Sequence, residues 1–235
     1  MKTFENRLEG NSYPGRGIII GMTPDGRNIV QVYWIMGRSE NSRNRVFEYN
    51  GTTLRTRAFD ESKLTDPSLV IYNAMKVCKD VHIVTNGDQT DTVQDFIEAG
   101  ESFKEALDTR EFEPDEPNFT PRISGIAFLN AMVYKLSVLK TIDNDKKQGQ
   151  RNYFEYSRFI KGIGHCITTY MGDGNPLPSF EGEPFEVELL DDIDANAGKF
   201  WDMLDDENKV SLAVKFIDVS TKEISMRILN KNKEA

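Results

Sequence analysis

Cysteine and histidine are scarce, with two of each in 235 residues. Cys78 and Cys166 are too few for a disulfide framework, and their apolar, strand-like surroundings predict buried thiols in a reducing compartment. His82 and His165 stand apart from any Cys or carboxylate at ligand spacing, which argues against a metal site. No apolar run approaches the roughly 20 residues that cross a bilayer; the longest near the start is Ile18-Ile19-Ile20. The opening MKTFENRLEG lacks the apolar stretch of a signal peptide, so a cytoplasmic protein with no membrane partner is expected. A net charge of −9 leaves no broad basic face for a nucleic-acid backbone. There is no Walker loop, dinucleotide glycine fingerprint or nucleophile elbow. A small anionic ligand is still compatible with these absences, because a few focused arginines can hold one inside an acidic protein.

The chain is long enough to bury a substantial core without staples. Its periodicity marks many strands and few helices. Residues 17–21 and 28–36 flank the turn Thr23-Pro24-Asp25-Gly26, and 45–49 and 52–58 flank Asn50-Gly51, both hairpin signals. A third pair, 69–77 and 81–85, flanks Lys79-Asp80. Thr90 or Asp91 would cap a helix ending at Gly100, and Ser102 with Glu105 has capping-box spacing for a second. Strands are expected again at 123–129, 133–139, 152–160, 164–170 and 185–190, with 141–151 as an exposed hairpin tip. A last helix over 195–204 and a hairpin from 210–219 and 224–229 complete the pattern. The expectation is one α+β domain over residues 1–235, mainly antiparallel, with paired sheets between helix layers.

Chemistry-bearing residues gather in five segments at strand ends or in loops, where a rigid sheet presents functional groups. Tyr13-Pro14-Gly15-Arg16-Gly17 has glycines that would let a ligand approach Arg16, although an exposed arginine opening a strand reads the same. Residues 37–45, GRSENSRNR, interleave three arginines with serines and asparagines, a composition suited to phosphate oxygens. Arg43 and Arg45 share a face there only if the segment is extended. Tyr72-Asn73 sits in an apolar strand, where asparagine is unusual. Residues 85–91, TNGDQTD, would offer amides at a helix start, or serve only as turn and cap. Residues 112–122, FEPDEPNFTPR, are stiffened by three prolines and carry Glu113, Asp115, Asn118 and Arg122 just before a strand.

Taken in order, YPGRG, the Arg38-Ser39 pair with its downstream arginines, Tyr72-Asn73-Ala74, Asn86-Gly87 through Asp91, FEPDEPNFTPRI and GDGNPLPSFEGEP resemble the stand-alone, archaeal-type IMP cyclohydrolase family. The resemblance runs from Tyr13 to about Pro184. It implies a four-layer αββα sandwich like that of N-terminal nucleophile hydrolases. Met1-Lys2 leaves no N-terminal nucleophile, so the fold would come without its usual covalent chemistry. It also implies closure of the purine ring of a formamido-carboxamide ribonucleotide (FAICAR) to IMP, with no cofactor and no metal. The partner would be a small purine ribonucleotide, and self-association is open. By the same resemblance Tyr72, Glu113 and Arg38 are the catalytic candidates. Arg16, Asn73, Asn86, Asp88, Asn118 and Arg122 are the substrate-binding ones, and Asp115 is loop architecture. Two departures stand out. Trp34 occupies a place where archaeal members carry an arginine, leaving that role unfilled or passed to Arg38 and admitting a non-catalytic purine-nucleotide binder on the same scaffold. The region at about 185–235 is longer than expected, a candidate lid or interface.

Overall fold

The computed structural model describes residues 5–232. The first residues, on which the readings about a leader and an N-terminal nucleophile rest, lie outside them. A short helix α1 (Glu5–Leu8) leads to the hairpin β1 (Gly17–Met22) and β2 (Asn28–Met36). One helical turn, α2 (Glu40–Arg43), precedes β3 (Arg45–Tyr49), β4 (Leu54–Ala58), β5 (Asn73–Cys78) and β6 (Val81–Thr85). Helices α3 (Gln89–Ala99) and α4 (Phe103–Asp108) follow, then β7 (Arg122–Phe128), β8 (Val133–Ile142) and β9 (Asp145–Tyr156). Next come β10 (Ile163–Thr168), β11 (Phe185–Glu188), α5 (Ile193–Met203), β12 (Lys209–Asp218) and β13 (Ile224–Asn230).

The strands form a six-stranded sheet in the order β11-β10-β1-β2-β12-β13 and a seven-stranded sheet in the order β3-β4-β5-β6-β7-β8-β9. All of their ladders are antiparallel, so this is a mixed α/β protein, mostly antiparallel, with few helices. The inner faces meet through side chains. The Tyr33 and Tyr72 hydroxyls lie 2.6 Å apart, the Tyr134 hydroxyl is 2.6 Å from His165 Nδ1, and Gln31 donates to the His82 carbonyl at 3.0 Å. A second apolar cluster, including Ile83, Val93, Phe103 and Leu107, joins β6 to α3 and α4.

Local chemistry explains the turns. Gly26 and Gly51 adopt φ of 78° and 96°, conformations that glycine reaches without a Cβ penalty. Ser102 and Glu105 close a capping box, and Gly100 ends α3 at φ 86°. Other expectations need correction. The strand expected from residue 69 begins only at Asn73, because Thr56 bonds the Tyr72 backbone in place of a regular ladder. The polar segment 141–151 is no long tip. Its turn is only Asp143-Asn144, both with positive φ, and its polarity belongs to the exposed edge strand β9. The arginine-rich segment is not extended either, since Ser39 and Ser42 cap a helical turn within it. The C-terminal region is built into the six-stranded sheet, with buried β12 pairing β2 along its length.

Trp34 faces away from the sandwich interior, opposite in direction to Tyr33, as successive strand residues must. Its ring lies over Gly17 of the neighbouring strand, where an added Cβ would sit 1.9 Å from the indole. A Gly17→Ala variant is therefore expected to lose about 1–3 kcal/mol of stability through overpacking, read as a lowered thermal midpoint.

Candidate active site

Six segments converge on a cavity of about 350 Å³: residues 13–16, 36–45, 66–70, 113–120, Thr169-Tyr170 and Leu177. Strand ends deliver the first two, and the loops before β5, before β7 and after β10 deliver the rest. A larger cavity of about 840 Å³ lies between the edge strands β3 and β13. Its Lys209 is committed to Asp206 and to the Trp201 ring, so it offers less open chemistry.

At the centre, Arg16 donates to both oxygens of Glu113, at 3.0 and 3.1 Å. Glu113 is 1% exposed. Burial raises its pKa above the ordinary carboxylate value, although Arg16 and Arg122 pull the other way. Burial is the largest influence on Arg16 and works against its charge, but Glu113 together with Tyr72, Tyr33 and Tyr170 outweighs it and keeps the guanidinium firmly ionised. Arg45, 1% exposed, gives Nε to the Ser42 carbonyl at 2.7 Å and Nη2 to the Met36 carbonyl at 3.3 Å. Its Nη1 is buried without a partner. Since Glu113 is taken by Arg16, Arg45 on the cavity wall keeps a buried N–H without a partner, the kind of group an anionic or carbonyl oxygen would satisfy. Tyr33 and Tyr72 meet hydroxyl to hydroxyl between the sheets, within electrostatic reach of Arg16, and burial drives the Tyr33 phenol well above its ordinary pKa. Arg38 stands at the mouth, donating to Asp173 at 2.5 Å and to the Gly174 carbonyl, its guanidinium over the Tyr13 ring.

Arg16, Arg38, Glu113 and Asn118 thus line one cavity, with Asn118 accepting from the Leu177 amide. Four expected ligands lie elsewhere, for identifiable reasons. Asn73 points to the opposite face of its strand from Tyr72 and bonds Asp91 of α3. The Asn86 side chain is used up in joining Pro121, Ile123 and Gln89. Asp88 starts α3 without a capping bond because its carboxylate receives Arg122 at 2.7 Å and a short contact from Arg110. Arg122 consequently faces that helix, also binding Gln89. Gly15 and Gly17 make room for the protein itself: a Cβ on Gly15 would meet Thr169 and Tyr170. Asp115 holds the loop by accepting from the Thr120 amide and hydroxyl. Sequence reasoning passed over Tyr33, Thr120 and Tyr170 and left Arg45 undistinguished. Only Tyr33 had a visible signal, a tyrosine in an otherwise buried strand.

Fold and site together define a two-sheet antiparallel protein with a pocket lined by three arginines and by Asp66, Glu113 and Asp115. The chain belongs to the family described as IMP cyclohydrolase-like protein, whose model matches residues 13–223. It is similar to the IMP cyclohydrolase of Methanopyrus kandleri, 34% identical over 116 residues, covering 48% of this chain and 57% of that protein. The IMP cyclohydrolases of Methanococcus maripaludis strain S2 and Methanosphaera stadtmanae are 33% and 32% identical over 117 residues, covering 48% of this chain and 56% of each relative. The chain spans about half the length of the curated relatives it matches. The family match reaches into the turn before β13, so it takes in α5 and β12 of the region expected to be additional.

Proposed function

We propose that this protein is an IMP cyclohydrolase that closes FAICAR to IMP with loss of water. The observation that carries the reading is the buried Arg16–Glu113 pair beside the open N–H of Arg45, in a cavity within the size range of small-ligand sites. In the reaction the carboxamide nitrogen attacks the formyl carbon. That nitrogen and the formamido nitrogen each lose one proton, and the formyl oxygen leaves as water. A carboxamide is a poor nucleophile, so alignment supplies much of the rate, roughly 7–11 kcal/mol in favourable cases. Glu113 is proposed to move protons, burial raising its pKa above the ordinary carboxylate value. The Tyr33–Tyr72 pair, within electrostatic reach of Arg16 although neither residue lines the cavity, is proposed to stabilise the oxygen that gathers charge, and Arg45 or Arg16 to polarise the carboxamide. Arg38 and Asn118, at the mouth and in the wall, are proposed for the phosphate and ribose.

The proposed architecture is a single four-layer αββα domain, with α5 covering the six-stranded sheet and α3 and α4 the other. Cytoplasmic residence fits a chain in which no described helix is long and apolar enough to cross a membrane. The non-catalytic alternative rested on Trp34, which packs on Gly17 and is not among the residues that line the cavity.

The test is incubation with FAICAR, following IMP by chromatography; no IMP at micromolar protein rules the reading out. Tyr72→Phe is expected to lower kcat about 10- to 100-fold with little change in KM, in line with loss of one placed donor. An unchanged kcat would remove Tyr72 from the mechanism.

A further inference from the structure

Arg16 and Glu113 reach the pocket from different sheets, so something must set their register. Arg16 precedes β1, and Glu113 lies in the loop before β7. One side chain touches both supports. The Tyr170 amide donates to the Pro14 carbonyl at 3.2 Å, and its ring lies where a Gly15 Cβ would be, 2.6 Å from Cδ2. The ring also stacks on Tyr13 at 6.0 Å. Its neighbour Thr169 donates its amide to the Arg16 carbonyl at 2.9 Å, while Thr169 Oγ1 accepts the Arg16 amide at 3.0 Å. On the other side the Tyr170 hydroxyl lies 2.5 Å from Thr120 Oγ1, and the Thr120 carbonyl accepts the Glu113 amide at 2.9 Å.

The direction of this chain is determined by proton count. Thr120 Oγ1 also lies 2.5 Å from Asp115 Oδ2, and an ionised carboxylate can only accept. The single threonine proton therefore goes to Asp115, and the Tyr170 hydroxyl must donate to Thr120. Asp115 acquires a reason beyond loop shape: it orients the acceptor for Tyr170.

We propose that Tyr170 and Thr120 form a hydroxyl latch between the two sheets, acting as positioning residues that hold Arg16 and Glu113 in catalytic register. The inference rests on the function proposed above only for its kinetic consequence. Burial keeps the Tyr170 phenol above its ordinary pKa, so the donor stays protonated. Misplacing a catalytic group by about 1 Å can lower a rate roughly 100-fold.

Tyr170→Phe keeps the stacked ring and removes only the hydroxyl, and Thr120→Val removes the acceptor at similar volume. Both are expected to stay folded and to lower kcat for FAICAR about 10- to 100-fold, with KM changed much less. The double variant should be no worse than either single one. The independent readout is the Glu113 carboxyl titration, followed by carbon-13 NMR in ligand-free protein labelled at the glutamate carboxyl carbons. Its raised pKa should fall toward the ordinary value in both variants as water reaches the loosened loop. An unchanged titration in either folded variant, or losses that add in the double variant, overturns the latch. If the wild-type protein makes no IMP, the titration still decides the latch, so the two ideas fail separately. If Tyr170→Phe does not fold, Thr120→Val carries the same test.

Discussion

Glu113→Gln is expected to lower kcat by about 100- to 1,000-fold, the range for losing a positioned proton-transfer group. Glutamine keeps the volume and can still accept from Arg16 through its amide oxygen, but it neither carries a transferable proton nor balances charge. The second effect is on stability. Glutamine stands in for the protonated carboxyl that burial favours, so losing the ion pair to Arg16 should cost less than the about 3–5 kcal/mol typical of breaking a buried pair from one side. The two effects separate by pH. Glu113 has a folded-state pKa raised above its ordinary 4.5. Its protonated form therefore stabilises the fold fully below pH 4.5, and this contribution is lost as pH rises through the folded value. The wild-type rate should show a limb above the ordinary carboxylate range, and the glutamine variant should lack it. A variant with the same limb would assign that titration to another group.

Lys215→Met is expected to stabilise the protein, most of all below about pH 7. Lys215 lies in β12 opposite Gln31, 2% exposed, inside the sandwich. Burial lowers its pKa from 10.5 to about 7. His82 is nearby, itself pushed down to about 3 by burial, with Lys215 and Lys222 adding repulsion. Between pH 7 and 10.5 the unfolded chain binds a proton that the folded chain gives up, so stability must rise with pH across that window. The penalty is greatest below about pH 7, on the order of 3–5 kcal/mol at roughly 1.4 kcal/mol per pKa unit. Methionine fills similar space without the charge. The thermal midpoint near pH 7.5 should rise by roughly 6–20 °C, at about 2–4 °C per kcal/mol for a chain of this size. The rise with pH in the wild type should vanish in the variant. Equal pH slopes in the two proteins would mean that Lys215 finds solvent or a partner on the inside.

These two residues show the limits of sequence reading from opposite sides. Glu113 was legible because three prolines announce a rigid loop ahead of a strand. Lys215 was not, since VSLAVKFID reads as a strand with a lysine on either face, and only the sheet order turns that face inward. Arg45 makes the same point. Three arginines in nine residues suggested a common anion, but the Ser39–Ser42 capping box bends the segment and sends them apart. Arg38 goes to Asp173 at the mouth, Arg43 to the Gly37 carbonyl and Asn208, and Arg45 into the cavity wall.

By itself the sequence determined the hairpins at Asn50-Gly51 and Pro24-Asp25-Gly26, the Ser102 cap, the Gly100 stop and the family. These depend on the conformational preferences of a few adjacent residues, or on motifs kept in order along the chain. Tertiary structure alone decided that β12 joins β2, that Tyr33 meets Tyr72, and that Arg16 rather than Arg122 grips Glu113. Those outcomes depend on which strand face turns inward and what stands across from it. Sheet pairing over long separations settles that, and no local pattern encodes it.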